Sequence, residues 1–460
     1  MLGALRVLEI AWDTTRVGRG DGDAIARRQQ NRLADLVKHA RSSSPYYRRL
    51  YHDLPSRVTD PQLLPPVRKP DLMAHFDEWV TDPDLTLERL RREFLSDLSL
   101  VGSLYLRRYH VFTTSGTTGE PAVLVHDVDS WAVLQVVARL RARRALLSQG
   151  LVRNALRRGL RWAVLFATGG HFGGVVLTES LRRRSSFMAR RLRVFSVLRP
   201  VSELVEELNE FQPTVLNGYP SAIALMAAEQ RAGRLRISPF LAQTSGEAMT
   251  AQTRNAITSA FGCGIVEGYA ASEAPALAVQ CPAGSLHVNA DWYLLEPVDA
   301  AYRPVPPGET SHTTLVTNLA NRVQPVIRYD LGDRVAVATS PCPCGSPLPR
   351  VTVEGRTNDV LSFESPDGPA VTVLPLALGT VIEETPGVSR FQAIRTGSSR
   401  LSVRLEMQPG SGEEEVWAAV DARLEKFFRD HGAAPVSVEH AAETPHADPR
   451  TGKFRQVWSA

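Results

Sequence analysis

Five hydroxyl side chains and two glycines crowd into Thr113-Thr114-Ser115-Gly116-Thr117-Thr118-Gly119, and Glu120-Pro121 ends the run. Val111-Phe112 precede it and Ala122-Val123-Leu124-Val125 follow it, so two short apolar strands joined by a tight loop are expected. Glycine allows the backbone to approach a ligand and align its N–H groups, and serine and threonine hydroxyls donate to anionic oxygens. Such a loop suits phosphate oxygens. No Gly-Lys-Ser/Thr follows, which separates it from the P-loop of the nucleotide triphosphatases. Taken alone, the segment also reads as a solvated hairpin loop.

A second group of candidates is metal-binding. Cys281 and His287 lie six apart, and Cys342-Pro343-Cys344 follows later in the chain. Three thiolates and one imidazole complete a tetrahedral set for zinc with no open position, which makes the expected role structural. Three buried cysteines and a core histidine are the alternative, and Cys263 is left for packing. A third candidate is a single lysine. Of 53 Lys and Arg residues only Lys38, Lys69, Lys426 and Lys453 are lysine, so a lysine in Thr451-Gly452-Lys453-Phe454-Arg455 stands out. Arginine does not replace lysine as a compact point charge.

These residues need a scaffold, and the chain alternates strand and helix to make one. Helices are expected over residues 24–52, 84–100 and 130–147. Arg161–Ala167 reads as a buried strand running into Thr168-Gly169-Gly170-His171-Phe172-Gly173-Gly174. Strands at 191–197, 214–216, 241–245 and 265–269 alternate with helices at 201–209, 221–232 and 250–261. The expected fold class is α/β: mostly parallel sheets covered by helices. In such sheets ligands lie beyond the carboxyl ends of the strands. Those ends carry Phe166, His171 and Phe172, then Tyr219-Pro220, Gly246-Glu247-Ala248, and Tyr269-Ala270-Ala271-Ser272-Glu273. Shorter strands at 292–295, 315–317 and 335–337 suggest a smaller β unit. Strands at 389–395, 400–407 and 436–439 with a helix at 413–428 suggest a small α+β tail.

At 460 residues, with 43% hydrophobic and 22% charged residues, the composition is that of a globular protein of two or more domains. A net charge of +4 argues against a dedicated nucleic-acid binder. The arginines at 139, 141, 143, 144, 153, 157, 158 and 161 read either as a surface for a phosphate-rich ligand or as a solvated face, the latter being favoured. No secretory segment or run of eighteen apolar residues occurs, so a cytoplasmic protein without a membrane span is expected.

Several ordered motifs give the chain a resemblance. It resembles the adenylate-forming (ANL) superfamily of acyl-CoA synthetases, and within it the phenylacetate–CoA ligase branch, which includes coenzyme F390 synthetases and capsule-locus proteins. The residues that carry the likeness are Ser44-Pro45-Tyr46-Tyr47-Arg48, Thr114–Pro121, Gly268–Glu273, Tyr329-Asp330-Leu331-Gly332-Asp333, Gly355-Arg356-Thr357-Asn358-Asp359 and Thr451–Arg455. The resemblance implies an adenylate-forming domain over residues 1–356 and a mobile C-terminal lid over 357–460, pivoting at Asn358. It implies that a carboxylic acid, aromatic or small, attacks the α-phosphate of ATP. Thr114, Ser115, Gly116, Thr117, Thr118 and Gly119 would hold the β- and γ-phosphates. Glu273 would bind Mg²⁺ and Ser272 would sit by the α-phosphate. Gly246, Glu247, Ala248 and Tyr269 would frame adenine, and Asp333 with Arg356 would hold the ribose. Lys453 would bridge the α-phosphate and the attacking carboxylate. Phe166, His171, Phe172, Tyr219, Pro220, Ala270 and Ala271 would line the acid pocket.

The resemblance implies CoA as acceptor, and it allows an amine, a carrier-protein thiol and a homodimer. Three departures bear on it. Glu120 stands where lysine is usual, and Asn358 where aspartate is usual. Glu364-Ser365-Pro366-Asp367-Gly368-Pro369 replaces a glycine-rich segment that helps place the second substrate, which bears on CoA more than on adenylation. A non-catalytic nucleotide-binding protein is the remaining alternative.

Overall fold

The computed structural model describes residues 4–17, 22–114, 121–199, 201–356, 361–366, 370–373, 375–447, 449 and 454–460. Its contacts divide into two compact units: residues 1–331, 335–353 and 450–452 in one, and residues 332–334, 354–449 and 453–460 in the other.

The first unit opens on helices Ala4–Val17 and Gly22–Ser43. Leu33, Leu36, Val37 and Ala40 are buried along the second helix, the stripe expected from their spacing. Pro45 cannot continue that helix, and the Ser44 hydroxyl accepts the Tyr47 N–H at 3.3 Å to start the next, Pro45–Leu50. The segment 84–100, expected to be helical, forms only short turns: Leu87–Leu90, a π turn Arg91–Leu95 and a 3₁₀ turn Leu98–Leu100.

The strands, in chain order, begin with β1 (Tyr109–Thr113) and β2 (Val123–Asp127), an antiparallel hairpin whose loop is the hydroxyl-rich segment. Helix Val128–Ser148 follows. Then come β3 (Trp162–Phe166), β4 (Leu192–Ser196), β5 (Val215–Gly218), β6 (Leu241–Thr244) and β7 (Gly264–Tyr269), separated by helices. β3 to β7 are parallel neighbours, and their burial on both faces explains the near-continuous apolar runs. β8 (Ala278–Gln280), β9 (Leu286–Val288), β10 (Tyr293–Val298), β11 (Thr313–Asn318), β12 (Tyr329–Asp330), β13 (Asp333–Val337) and β14 (Arg350–Arg356) follow.

Of the strands expected in a smaller β unit, those near 292–295 and 315–317 form one and that at 335–337 does not. β10, β11 and β12 form a three-stranded sheet, but β13, β14, β9 and β8 extend the parallel strands into one nine-stranded mixed sheet, in the order β13-β14-β9-β8-β7-β6-β5-β3-β4. Strand partners are chosen by non-local packing, which a local apolar pattern does not encode.

The second unit contains β15 (Leu361–Phe363), β16 (Val371–Val373), β17 (Val388–Gly397), β18 (Arg400–Met407), β19 (Ser437–His440) and β20 (Val457–Ser459). Helix Glu413–Asp430 buries Val416, Val420, Leu424, Phe427 and Phe428 at helical spacing, and helix Pro375–Glu383 adds to the same core. No helix among the described residues is long and apolar enough to cross a membrane.

Candidate active site

The β1–β2 hairpin is tied to the loop that follows β3. The Thr113 N–H donates to the His171 carbonyl at 2.7 Å, and Thr113 bridges Phe172. At the hairpin's open end Thr114 and Ala122 close on each other: the Thr114 N–H donates to the Ala122 carbonyl at 2.9 Å, and the Ala122 N–H donates to Thr114 Oγ1 at 2.8 Å. Ser115, Gly116, Thr117, Thr118 and Gly119 lie outside the described residues, as do Asn358 and Lys453.

Register brings the strand ends to one edge. Leu165 pairs with Gly218, Gly218 with Thr244, and Thr244 with Glu267. The residues just beyond these positions are the acid-pocket and adenine candidates. Phe166 and Tyr219 meet edge to face, with ring centroids 4.8 Å apart. Gly246 has φ +86° and lies against the Tyr219 ring, so close that a Cβ there would sit 3.1 Å from it. The left-handed backbone favours glycine here, and a side chain would in addition have to push the ring aside by a few tenths of an ångström. A carboxylate oxygen of Glu247 accepts the Ser221 N–H at 3.1 Å, at the first turn of helix Pro220–Arg231, where a negative charge is favoured. Tyr269 is buried at the end of β7, while Ala270, Ala271 and Ser272 are half-buried. Ala271 and Ala274 exchange backbone hydrogen bonds at 3.0 and 3.3 Å, a tight turn that delivers Glu273.

Glu273 is buried and held at two points. The Tyr329 hydroxyl donates to Glu273 Oε1 at 2.7 Å, and Asn318 Nδ2 donates to the Glu273 carbonyl at 3.1 Å. Tyr329 lies inside the Tyr329–Asp333 motif, but its residue type and spacing imply no role there. Only the spatial closeness of β11 and β12 to the turn after β7 reveals it. The neighbouring Asp330 is occupied: Tyr302 and Thr313 hydroxyls both donate to its carboxylate. Asp333 is buried at the start of β13, and Arg356 ends β14.

His171 departs from a simple loop position. It is buried, its ring packs against Phe94 at 5.1 Å, and its Nε2 donates to the Asp97 carbonyl at 3.2 Å. Burial lowers its pKa, against a smaller opposing pull from Asp97, which favours the neutral ring. Its Nδ1 has no hydrogen-bond partner among the described residues. The arginine run is not one surface either: Arg141 pairs with the fully buried Asp291 at 2.8 Å, and Arg161 donates to the Gln212 carbonyl at 2.7 Å.

Cys281, His287, Cys342 and Cys344 come together, with their donor atoms all within 4.8 Å of one another. Two Cys-Pro-X-Gly turns make this possible, Cys281–Gly284 and Cys342–Gly345, each closed by a Gly N–H to Cys carbonyl bond of 3.0 Å. Proline and glycine take the positions that a type I turn favours. The repeat is visible in the sequence as Cys281-Pro282-Ala283-Gly284 and Cys342-Pro343-Cys344-Gly345. Cys281 and Cys342 sulfurs are 3.7 Å apart and the Cys344 sulfur is 3.4 Å from His287 Nε2. A tetrahedral zinc with bonds of about 2.3 Å to sulfur and about 2.0 Å to nitrogen sets these spacings near ~3.8 and ~3.5 Å. His287 Nδ1 donates to the Leu348 carbonyl at 2.8 Å, which leaves Nε2 as the lone-pair nitrogen. Burial resists ionisation of Cys342, yet hydrogen bonds from Cys344, His287 and Cys281 outweigh it and bring the thiol down to about 6. Burial first, then Cys342 and Cys281, push Cys344 up to about 11. Cys263 stands apart, buried in the core, where desolvation pushes its thiol up to about 11.

No protein-family model matches the chain. Its sequence is 23% identical over 415 residues to a phenylacetate–coenzyme A ligase of Aromatoleum evansii, covering 86% of this chain and 85% of that protein. It is 25% identical over 411 residues to the phenylacetate–coenzyme A ligase of Escherichia coli K12, covering 85% of this chain and 84% of that protein. Among solved structures, a 2-hydroxyisobutyryl-CoA ligase in the postadenylation state with 2-HIB-AMP superposes with a TM-score of 0.64 at 21% identity, covering 95% of this chain and 89% of that chain. The same ligase with 2-HIB-AMP and CoA in an open conformation gives a TM-score of 0.56. The fold is therefore that of the adenylate-forming ligases. Within that superfamily the chain is a distant homologue of the phenylacetate–CoA ligases over most of its length, an acid–CoA-ligase-like enzyme of the AMP-forming kind.

Proposed function

We propose that this enzyme joins a small or aromatic carboxylic acid to AMP at the expense of ATP and then passes the acyl group to CoA. The observation that carries the reading is the buried, doubly anchored Glu273, set beyond the carboxyl ends of the parallel strands with Phe166, Tyr219, Gly246 and Tyr269 on the same edge. That edge is where open α/β sheets bind ligands.

The reaction brings two anions together, so this chain's task is to position them and offset their charge. In this reading the hydroxyls and N–H groups of residues 114–119 hold the β- and γ-phosphates. Glu273 would offer a carboxylate oxygen to Mg²⁺, and the cation would supply positive charge to offset that of the phosphates. Its geometry fits one oxygen ligand of a hydrated ion, because Tyr329 occupies the other oxygen. Ser272 lies by the α-phosphate. Gly246, Glu247, Ala248 and Tyr269 frame the adenine, and Asp333 and Arg356 hold the ribose. Phe166, His171, Phe172, Tyr219, Pro220, Ala270 and Ala271 line the acid pocket. Residues 357–460 act as a lid that pivots at Asn358 and carries Lys453. Lid motions of this kind gate many enzymes. The Cys281/His287/Cys342/Cys344 set holds a structural zinc.

The residues at 364–369 favour one variation, with an amine or a carrier-protein thiol as acceptor in place of CoA. ATP–pyrophosphate exchange over a panel of carboxylic acids tests adenylation, and product masses with CoA or amines added identify the acceptor. Lys453→Ala is expected to lower exchange by at least ~100-fold while Mg·ATP still binds. A lack of exchange with every acid on the panel overturns the proposal, and undiminished exchange in Lys453→Ala overturns the role of that lysine.

A further inference from the structure

We infer that Tyr329 is a positioning residue that aims the Glu273 carboxylate at the nucleotide's cation. This rests on the proposed reading of Glu273 as a cation ligand and goes beyond it by naming the group that sets its geometry.

Three features support it. The hydroxyl–carboxyl hydrogen bond joins two buried side chains at 2.7 Å, a normal length for an O–H···O bond. It fixes the carboxyl's rotation through Oε1, while Oε2 takes no hydrogen bond among the described residues. One oxygen is thereby anchored and the other presented. Mg²⁺ demands near-ideal octahedral geometry, so the direction of a ligand oxygen matters more for it than for a larger cation.

The second feature is how firmly Tyr329 is itself held. It pairs with Val316 in β11 on one side and bridges Val67 on the other. The Val67 N–H donates to the Arg328 carbonyl, and the Asp330 N–H donates to the Val67 carbonyl, each at 3.0 Å. Arg328 adopts φ +48°, a conformation that side-chain-bearing residues rarely take. The turn is pinned by the Arg328 N–H to Thr317 Oγ1 at 3.0 Å, by the Arg328–Glu296 ion pair at 3.1 Å, and by the Arg328 guanidinium on the Leu64 carbonyl. Strained, over-determined backbone next to a candidate site is where positioning is expected.

The third feature is that Asn318, at the end of β11, holds the Glu273 main chain as Tyr329 holds its side chain. The two strands bracket the residue from backbone to carboxylate.

The test uses the full chain and reads Mg²⁺-dependent ATP binding by calorimetric titration, with melting temperature as a fold control. Glu273→Gln is expected to erase the tightening that Mg²⁺ gives. Tyr329→Phe keeps the ring and is expected to raise the half-saturating Mg²⁺ about tenfold, with metal-free ATP affinity unchanged and the melting temperature lowered by no more than a few degrees, as the loss of one buried hydrogen bond entails. If Tyr329→Phe binds Mg²⁺ as the wild type does while Glu273→Gln does not, the inference fails and the reading of Glu273 stands. If neither variant shifts the Mg²⁺ dependence, both fail. If Tyr329→Phe lowers metal-free affinity and melting temperature without touching the Mg²⁺ dependence, the tyrosine is only structural and the inference is overturned.

Discussion

Cys342 sits where three separate segments meet, and its neighbours decide its chemistry. A thiol brought down to about 6, an imidazole with its Nε2 lone pair facing inward, and two further sulfurs are a donor set already arranged for a tetrahedral ion. Wild-type protein purified without added zinc is therefore expected to carry about one equivalent of zinc. Cys342→Ser should lose it and melt at lower temperature, because zinc binding free energy is folding free energy. Elemental analysis with a melting curve checks both, and a metal-free wild type with an unchanged melting curve after chelation would sink the idea. Residue types announced this cluster in advance, since three cysteines and a histidine have few other shared uses. The same was not true of Tyr329. It stands in the Tyr329–Asp333 motif with no role that its type or spacing implies, and its partner Glu273 lies 56 residues earlier, so only the folded sheet joins them.

At the scale of elements, the β1–β2 hairpin carries a cross-strand pair of buried histidines, His110 opposite His126. The His110 ring stacks on Trp131 at 4.0 Å and accepts from the Arg184 guanidinium at 3.4 Å through Nε2. Burial, then Arg184 and His126, hold His110 down at about 3, and burial holds His126 at about 4 against the pull of Asp127. Both lie below the unfolded value of about 6.5. Their contribution is thus fully present above pH about 6.5 and is lost as pH falls toward 4, because the unfolded chain takes up protons that the folded hairpin refuses. Each histidine contributes a slope of up to about 1.4 kcal/mol per pH unit in that window. His126→Gln should flatten the pH dependence of denaturant stability between pH 6.5 and 4.5 relative to wild type; an identical slope in the two proteins refutes it. The hairpin itself was legible, as were β3 to β7, because buried strands bounded by glycine-rich loops show as short apolar runs. Helix Ala4–Val17 was not. It buries Ile10 and Val17 but leaves Leu5, Leu8 and Trp12 exposed, so its apolar residues do not define one face.

For the molecule as a whole, the sequence allowed two regions to be expected but not how strands are shared between sheets. The apolar residues form clusters that follow the two compact units. Leu361, Phe363, Phe391, Leu401, Leu424 and Phe428 belong to one cluster confined to the second unit, while the largest cluster lies in the first. Separate cores predict separate cooperativity, since each unit buries its own apolar surface. Leu424 is fully buried in helix Glu413–Asp430, so Leu424→Ala removes packing that collapse cannot fully restore, at a cost of about 2–5 kcal/mol. Scanning calorimetry of the full chain should therefore resolve two transitions, and Leu424→Ala should lower only one of them. The unmoved transition should be the larger in enthalpy, because unfolding enthalpy scales with the number of residues that melt. A single transition that shifts as a whole would mean that the two cores unfold together.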